Sequence, residues 1–332
     1  MWAREPSKIY FNYQLDSRLW GLIRTRPGDV IMASAPKVGS TWTLRIIAAL
    51  IHGEPLPAPL AQLSPWVDRR FLAGSPQTMA DALEAQTWQR SMRSHLPFDA
   101  LPYDPGVRYI CVGRDPRDVA LSVHNHYSAF TDEAIAALNS PPGAFPVRFE
   151  RAASDIHVFI HDWLTRGNPN LPWETEGFPS WSLFRQVGSF WDYRDLPNLL
   201  FVHYDDLKAD LAGEAARIAQ FIGVKVDRDR IATVERCCAF DAMREEGDEQ
   251  NPALAALIRG GAQTFYNKGV SGRWKEVFTA DEVALYEAAS KRNLAPDAAH
   301  WLEQGRLASG VEPSVRRTGQ QRPTQSLLRK QR

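Results

Sequence analysis

The apolar run Val30-Ile31-Met32-Ala33 leads directly into Ser34-Ala35-Pro36-Lys37-Val38-Gly39-Ser40-Thr41-Trp42, and then into Leu44, Ile46, Ile47 and Leu50 at helical spacing. No other feature constrains the fold as much, because a buried strand that turns at a glycine into an amphipathic helix must pack that helix back on its own sheet. Two further apolar runs, residues 107–112 and 199–202, have the same character, and each is followed by a turn and a helix. Asp115-Pro116 is a helix start, a carboxylate at the cap and proline at the first turn, with Val119, Leu121, Val123 and Tyr127 apolar behind it. Residues 211–222 form an Ala-rich amphipathic segment. This alternation predicts an α/β fold of three layers, a mostly parallel β-sheet flanked by helices, with ligands held at the carboxyl ends of the strands.

Between the second and third strands lies a long excursion. It contains Asn139-Ser140-Pro141-Pro142-Gly143-Ala144-Phe145 and a second loop over residues 167–179, around a helical segment near residues 156–164. Insertions of this kind shape access to a site. Thr279-Ala280-Asp281-Glu282 is a capping box that opens a last helix through about Lys291. The division expected is a single domain over residues 1–308, followed by a basic, flexible tail over 309–332 that has too little apolar surface to fold alone.

Thirty-nine basic and thirty-nine acidic residues cancel, so the total charge points to no nucleic-acid partner, and any anion site must be local. No segment has the ~20 uninterrupted apolar residues of a membrane span, and the first thirty residues lack a leader pattern. Three cysteines, Cys111, Cys237 and Cys238, lack metal-ligand spacing, and a reducing cytoplasm suits them.

The loop after the first strand differs from an ATP-binding loop, in which lysine follows the second glycine and a hydroxyl holds magnesium. Here Lys37 precedes Gly39. The ingredients for an anion are still present: Gly39 allows close approach, the N–H groups of Gly39, Ser40, Thr41 and Trp42 open a helix, and Lys37 adds a full charge. The pattern Pro-Lys-x-Gly-Ser/Thr-Thr-Trp resembles the 5′-phosphosulfate loop of the cytosolic-type sulfotransferases, which use 3′-phosphoadenosine 5′-phosphosulfate (PAPS). That resemblance implies that Trp42 offers a face to adenine.

Two further blocks agree. Arg114, Pro116, Asp118 and Ser122 match the family's 3′-phosphate motif, and Asn267-Lys268-Gly269 begins a stretch similar to its Arg-Lys-Gly-x-x-Gly-Asp-Trp-Lys-x-x-Phe-Thr loop. Asn267 stands where arginine is usual, and Arg273 where aspartate is usual. Tyr204-Asp205-Asp206-Leu207-Lys208 resembles the family's Tyr-Glu-Asp-Leu-Lys stretch, whose tyrosine contacts nucleotide. Cys238, Phe240 and Met243 match the stretch that lies near adenine, with cysteine where threonine is commoner. The resemblance runs from about Pro36 to Thr279, in the family's order, and implies a P-loop-like fold of the sulfotransferase and nucleoside-kinase type.

Arg93-Ser94-His95-Leu96-Pro97 resembles the family's Lys-Thr-His-Leu-Pro, which implies His95 as the general base for the acceptor hydroxyl or amine. Lys37 is then the cation for the leaving phosphate oxygen, Ser122 holds Lys37 aside until an acceptor binds, and Arg93 contacts the sulfuryl oxygens. A small or moderately sized acceptor is expected against Trp66, Phe71 and Trp181, since binding clefts are largely apolar. His157 with His161, and His124 with His126, lack a third ligand, so no metal is expected. The competing readings are an NTP-dependent kinase using Asp205 or Asp206 for magnesium, and a noncatalytic nucleotide-binding scaffold. The sequence leaves the acceptor and a homodimer open.

Overall fold

The first strand, β1 (Val30–Ser34), is buried at every position, as a strand covered by helices on both faces must be. The computed structural model describes residues 2–70, 75–140 and 147–313. Within them, β1 joins β2 (Ser91–Ser94), β3 (Arg108–Gly113) and β4 (Leu199–His203) in one parallel sheet of order β2-β1-β3-β4. Val30 pairs with Ser91 on one side and with Arg108 on the other, while Gly113 pairs with His203. The carboxyl ends of all four strands therefore come level at one edge of the sheet.

The strands predicted from apolar runs are β1, β3 and β4, and β2 adds a fourth. Its sequence, Ser91-Met92-Arg93-Ser94, has a single apolar residue, so no hydrophobic period marks it. It lies on the sheet edge and is buried through polar contacts, including Ser91 Oγ to Ser64 Oγ at 2.5 Å. Arg90, just before β2, donates from Nε and Nη2 to Asp29, just before β1, at 2.9 and 2.5 Å. Both side chains are almost fully buried. Removing one member of such a pair strands the other charge. Asp29→Ala is accordingly expected to lower unfolding stability by about 3–5 kcal/mol, read as a shift of the urea midpoint.

Each strand end hands over to a helix. After β1, Gly39 is the N-cap of the helix Ser40–His52 at φ 105°. A side chain there would be strained by that angle, and its Cβ would lie 2.9 Å from Tyr204 Cδ2. After β3, Asp115 caps Pro116–Ser128 by accepting the Arg117 N–H. After β4, a short helix Tyr204–Ala209 precedes Leu211–Ile222. The excursion contributes the helices Ile156–Thr165 and Leu183–Trp191; residues 141–146 of its first loop lie outside the described residues. The capping box at Thr279 opens Ala280–Asn293 with both reciprocal bonds present. This helix is not the last: the helical stretch Pro296–Ser309 follows, broken at Gly305 (φ 76°, ψ 176°), and packs Trp301 against Phe201 of β4 at 5.3 Å between ring centroids. Pro296 marks its first turn, a start that the capping box upstream overshadowed. Of the expected tail, residues 314–332 lie outside the described residues. No helix among the described residues is long and apolar enough to cross a membrane.

Candidate active site

At the carboxyl edge of the sheet the loops enclose a cleft of about 240 Å³, far above the roughly 10–15 Å³ that one water needs. Lys37, Gly39, Ser40, Thr41 and Trp42 line it from the loop after β1, and Arg93 and His95 from the end of β2. Arg114 and Ser122 come from the β3 side, Tyr204 from the end of β4, and Phe240, Met243, Asn267, Lys268 and Gly269 from the C-terminal loops. Trp66 and Trp181 complete it. Phe71 lies outside the described residues.

Lys37 adopts a left-handed backbone conformation, φ 62°, two residues before Gly39. Its ammonium donates to the Phe265 carbonyl at 3.2 Å and sits 3.7 Å from the centre of the Phe265 ring. The contact expected with Ser122 is absent among the described hydrogen bonds. A carbonyl and a ring face together offer a buried ammonium more than one hydroxyl does. Burial, and then the positive charges of Arg114 and Arg93, pull the Lys37 pKa down to about 7.

Arg114 ties two loops together. One Nη donates to the Lys37 carbonyl and the other to the Val270 carbonyl, both at 3.3 Å, while its guanidinium lies 4.2 Å from the Tyr204 ring centre. Its Nε is buried with no partner. Asp118 accepts the N–H groups of Gly272 and Trp274 at 2.5 and 3.2 Å, which fixes the loop carrying Asn267, Lys268 and Gly269 against the helix Pro116–Ser128. Gly269, at φ 64°, lies where a Cβ would meet the Phe240 ring at 2.7 Å. Cys238 departs from its expected place: its side chain is wholly buried behind the wall. Only its carbonyl serves the cleft, accepting the Trp42 Nε1–H at 2.8 Å and so setting the indole. The thiol packs on Cys237, Sγ to Sγ 3.7 Å.

His95 is held at both ring nitrogens. Nδ1 lies 2.6 Å from the Ser34 carbonyl at the end of β1. A carbonyl only accepts, so Nδ1 carries the proton and Nε2 presents its lone pair. Nε2 receives Arg93 Nε and Nη2 at 3.2 and 2.7 Å. Burial first, and then the Arg93 charge, hold the His95 pKa well below its ordinary value. Trp66 stands edge-on to the imidazole at 4.7 Å and Trp181 at 5.5 Å. Arg93 rests on Trp66 at 4.9 Å.

The residue that organises this corner, Asp68, was not among those singled out from the sequence. It accepts the His95 backbone N–H at 3.1 Å, the Trp66 indole at 2.9 Å and the Trp20 indole at 3.3 Å. Desolvation raises its pKa despite those bonds. Its only sequence signal was a carboxylate two residues after Trp66.

Among the described residues, Lys37, Arg93 and Arg114 form no ion pair with a carboxylate, whereas sixteen lysine or arginine pairs of that kind stand elsewhere. Three cations converge on the cleft with no carboxylate at ion-pair distance, Arg114 buried and Lys37 and Arg93 half-buried, and such a cluster makes a site for an anion. Asp205 and Asp206, the carboxylates of the magnesium reading, do not line the cleft; Asp118 does, and it is engaged by the Gly272 and Trp274 N–H groups. Asp205 accepts from Ser271, and Asp206 accepts the Arg306 and Leu307 N–H groups at 2.8 and 2.9 Å. Of the histidine pairs, His124 bonds the Ala153 carbonyl at 2.9 Å and His157 faces Glu282 at 3.0 Å.

Residues 27–296 match the family model described as a sulfotransferase domain. A glycolipid sulfotransferase of Mycobacterium tuberculosis is 32% identical over 321 residues, 92% of this chain and 96% of that protein. Human sulfotransferase 2B1 is 28% identical over 277 residues, covering 81% and 67%. Among solved structures, mouse sulfotransferase SULT7A1 complexed with PAP shares the fold at a TM-score of 0.63 and 21% identity, over 90% of this chain and 96% of that one. Retinol dehydratase in a complex with retinol and PAP does so at 0.63 and 23%, over 84% of each chain. With its sheet, its cation-lined cleft and a family match spanning most of its length, this chain belongs to the sulfotransferase family.

Proposed function

We propose that this protein transfers a sulfuryl group from PAPS to a hydroxyl of an organic acceptor, with His95 as the general base and residues 1–308 acting as one domain. The observation that carries the reading is the convergence of Lys37, Arg93 and Arg114, buried or half-buried and without ion-paired carboxylates, on one cleft that also contains His95 with its proton on Nδ1. Two of the cations suit separate anionic groups: Lys37 with the N–H groups of Gly39 to Trp42 for a 5′-phosphosulfate, Arg114 with Lys268 and Gly269 for a 3′-phosphate. Arg273 lines the cleft and supplies the charge that Asn267 does not. Trp42, Tyr204, Phe240 and Met243 line the same cleft and are assigned to the adenine. The names of the PAP-bound neighbours point the same way.

When bound, PAPS supplies a sulfuryl group whose departure leaves negative charge on a phosphate oxygen. Lys37 offers fixed positive charge to that oxygen. His95 receives the acceptor proton at Nε2, and its Nδ1–H bond to Ser34 keeps the tautomer that can do so. Arg93, which bonds the same nitrogen, turns to the sulfuryl oxygens and leaves Nε2 to the acceptor. Trp66 and Trp181 hold that acceptor against the base.

The pH dependence follows from the two groups. Because His95 sits well below its ordinary pKa, it stays neutral into acid, and activity does not fall between pH 7 and 6 for want of a base. Lys37 binds anions only when protonated, and its pKa of about 7 makes the affinity for the bisphosphate PAP fall as pH rises from 7 to 9. Calorimetry in buffers of different ionisation enthalpy should show proton uptake on binding at pH 8. The function itself is tested by incubating the protein with PAPS and a panel of phenols, alcohols and glycosides and reading an 80 Da gain by mass, a mass fixed by the SO₃ group transferred. The mycobacterial relative is named for a glycolipid, so glycosides belong in that panel. No gain on any acceptor, together with no binding of PAP, would refute the reading.

A further inference from the structure

The cleft contains polar atoms that the transfer chemistry leaves unused. His126, on the helix Pro116–Ser128, has Nδ1 buried with no hydrogen-bond partner, and so does Trp181 at its indole Nε1. Both side chains line the cleft. An unpaired buried polar atom costs about 1–3 kcal/mol, which a ligand that reaches it recovers. Gln14 and Tyr127 line the same cleft: Gln14 Nε2 donates to the Tyr127 hydroxyl at 3.4 Å, and that hydroxyl donates to Ser180 Oγ at 2.9 Å, so the wall that holds the two unpaired atoms is itself polar and fixed.

These atoms stand at the reacting end. Trp181 is 5.5 Å from His95 between ring centroids. His126 packs on the same Phe265 ring that faces the Lys37 ammonium, and burial first, then the positive charges of Lys37 and Arg93, hold it well below its ordinary pKa. Its ring is wedged edge-on between Phe130 at 4.9 Å and Phe265 at 5.7 Å. A neutral imidazole donates at one nitrogen and accepts at the other, while an indole only donates. Donors and acceptors among aromatic faces, close to the base, match a ring with several hydroxyls and apolar C–H edges. A phenol or a simple alcohol, with one hydroxyl given to His95, would leave both atoms unpaired.

We infer that His126 and Trp181 bind a second hydroxyl beside the one that is sulfated, so that the cleft selects a carbohydrate-type acceptor over a mono-alcohol of the same apolar length. The inference rests on the sulfuryl-transfer reading and adds the acceptor class and the residues that choose it. These are specificity residues, distinct from the base.

The test compares kcat/KM for octyl glucoside and octyl galactoside with that for 1-octanol, using PAPS as donor. Wild-type protein is expected to prefer a glycoside. His126→Phe removes both imidazole nitrogens and Trp181→Phe the indole N–H, each keeping an aromatic ring, and each is expected to cut the glycoside-to-octanol ratio by about 10-fold or more. A ratio that holds in both variants, or a wild-type preference for octanol, overturns the inference while leaving sulfuryl transfer intact. Wild-type protein that binds PAP and sulfates none of the three overturns the acceptor class. Failure to bind PAP as well overturns the transfer reading beneath it.

Discussion

Replacing His95 by asparagine is expected to lower kcat for sulfuryl transfer by about 10²–10⁴-fold, the usual contribution of a positioned general base. The geometry makes the effect specific. The imidazole is 2% exposed, fixed through Nδ1 to Ser34 and enclosed by Trp66 and Trp181. Asparagine keeps a polar side chain of similar reach, so affinity for PAP, which is assigned to the loops after β1 and β3, should change by only a few-fold. The measurement is a paired one, kcat from product mass and Kd from calorimetry. Loss of both together would mean that His95 supports the fold of the cleft and not the chemistry.

Lys37→Ala should be nearly as damaging but divided differently. Removing one preorganised charge at a leaving oxygen costs about 10²–10³-fold in kcat, and the lost phosphate contact weakens PAP binding as well. Burial gives Lys37 its leverage, since a cation flanked by Arg114 and Arg93 with only a carbonyl and a ring face beside it gains strongly from an anion. Lys37→Ala should also remove the proton uptake at pH 8 that wild-type protein shows on binding PAP. A variant that still takes up that proton would move its source to another group.

The two halves of the site were unequally legible in the sequence. The loop after β1 and the helix start after β3 are written in local signals, a glycine between strand and helix and an Asp-Pro cap, and local signals survive without tertiary context. The strand β2 was hidden because its side chains are polar, and it is the strand whose end carries Arg93 and His95. Its burial comes from Ser64, Asp68 and the Asp29–Arg90 pair, residues distant in sequence that only the fold brings alongside. Cys238 shows the converse error: a motif position near adenine contributes its carbonyl to Trp42 and turns its thiol away. Spacing does not tell which atoms of a residue face a ligand. His126 gave no sequence signal for acceptor recognition, since its interest lies in one unpaired nitrogen that needs the surrounding wall to be seen.

The central claim is that Lys37 and Arg114 mark two phosphate subsites in one cleft, so a ligand with phosphates on both the 3′ and 5′ positions of one adenosine should bind far better than one with a single phosphate. Titrating PAP and adenosine 5′-phosphate side by side by calorimetry tests this directly. Two charge-assisted contacts at the 3′-phosphate predict a preference for PAP of about 100-fold, collapsing towards unity in Arg114→Ala. Equal affinity for the two ligands in the wild-type protein, or a preference that Arg114→Ala leaves in place, would contradict it.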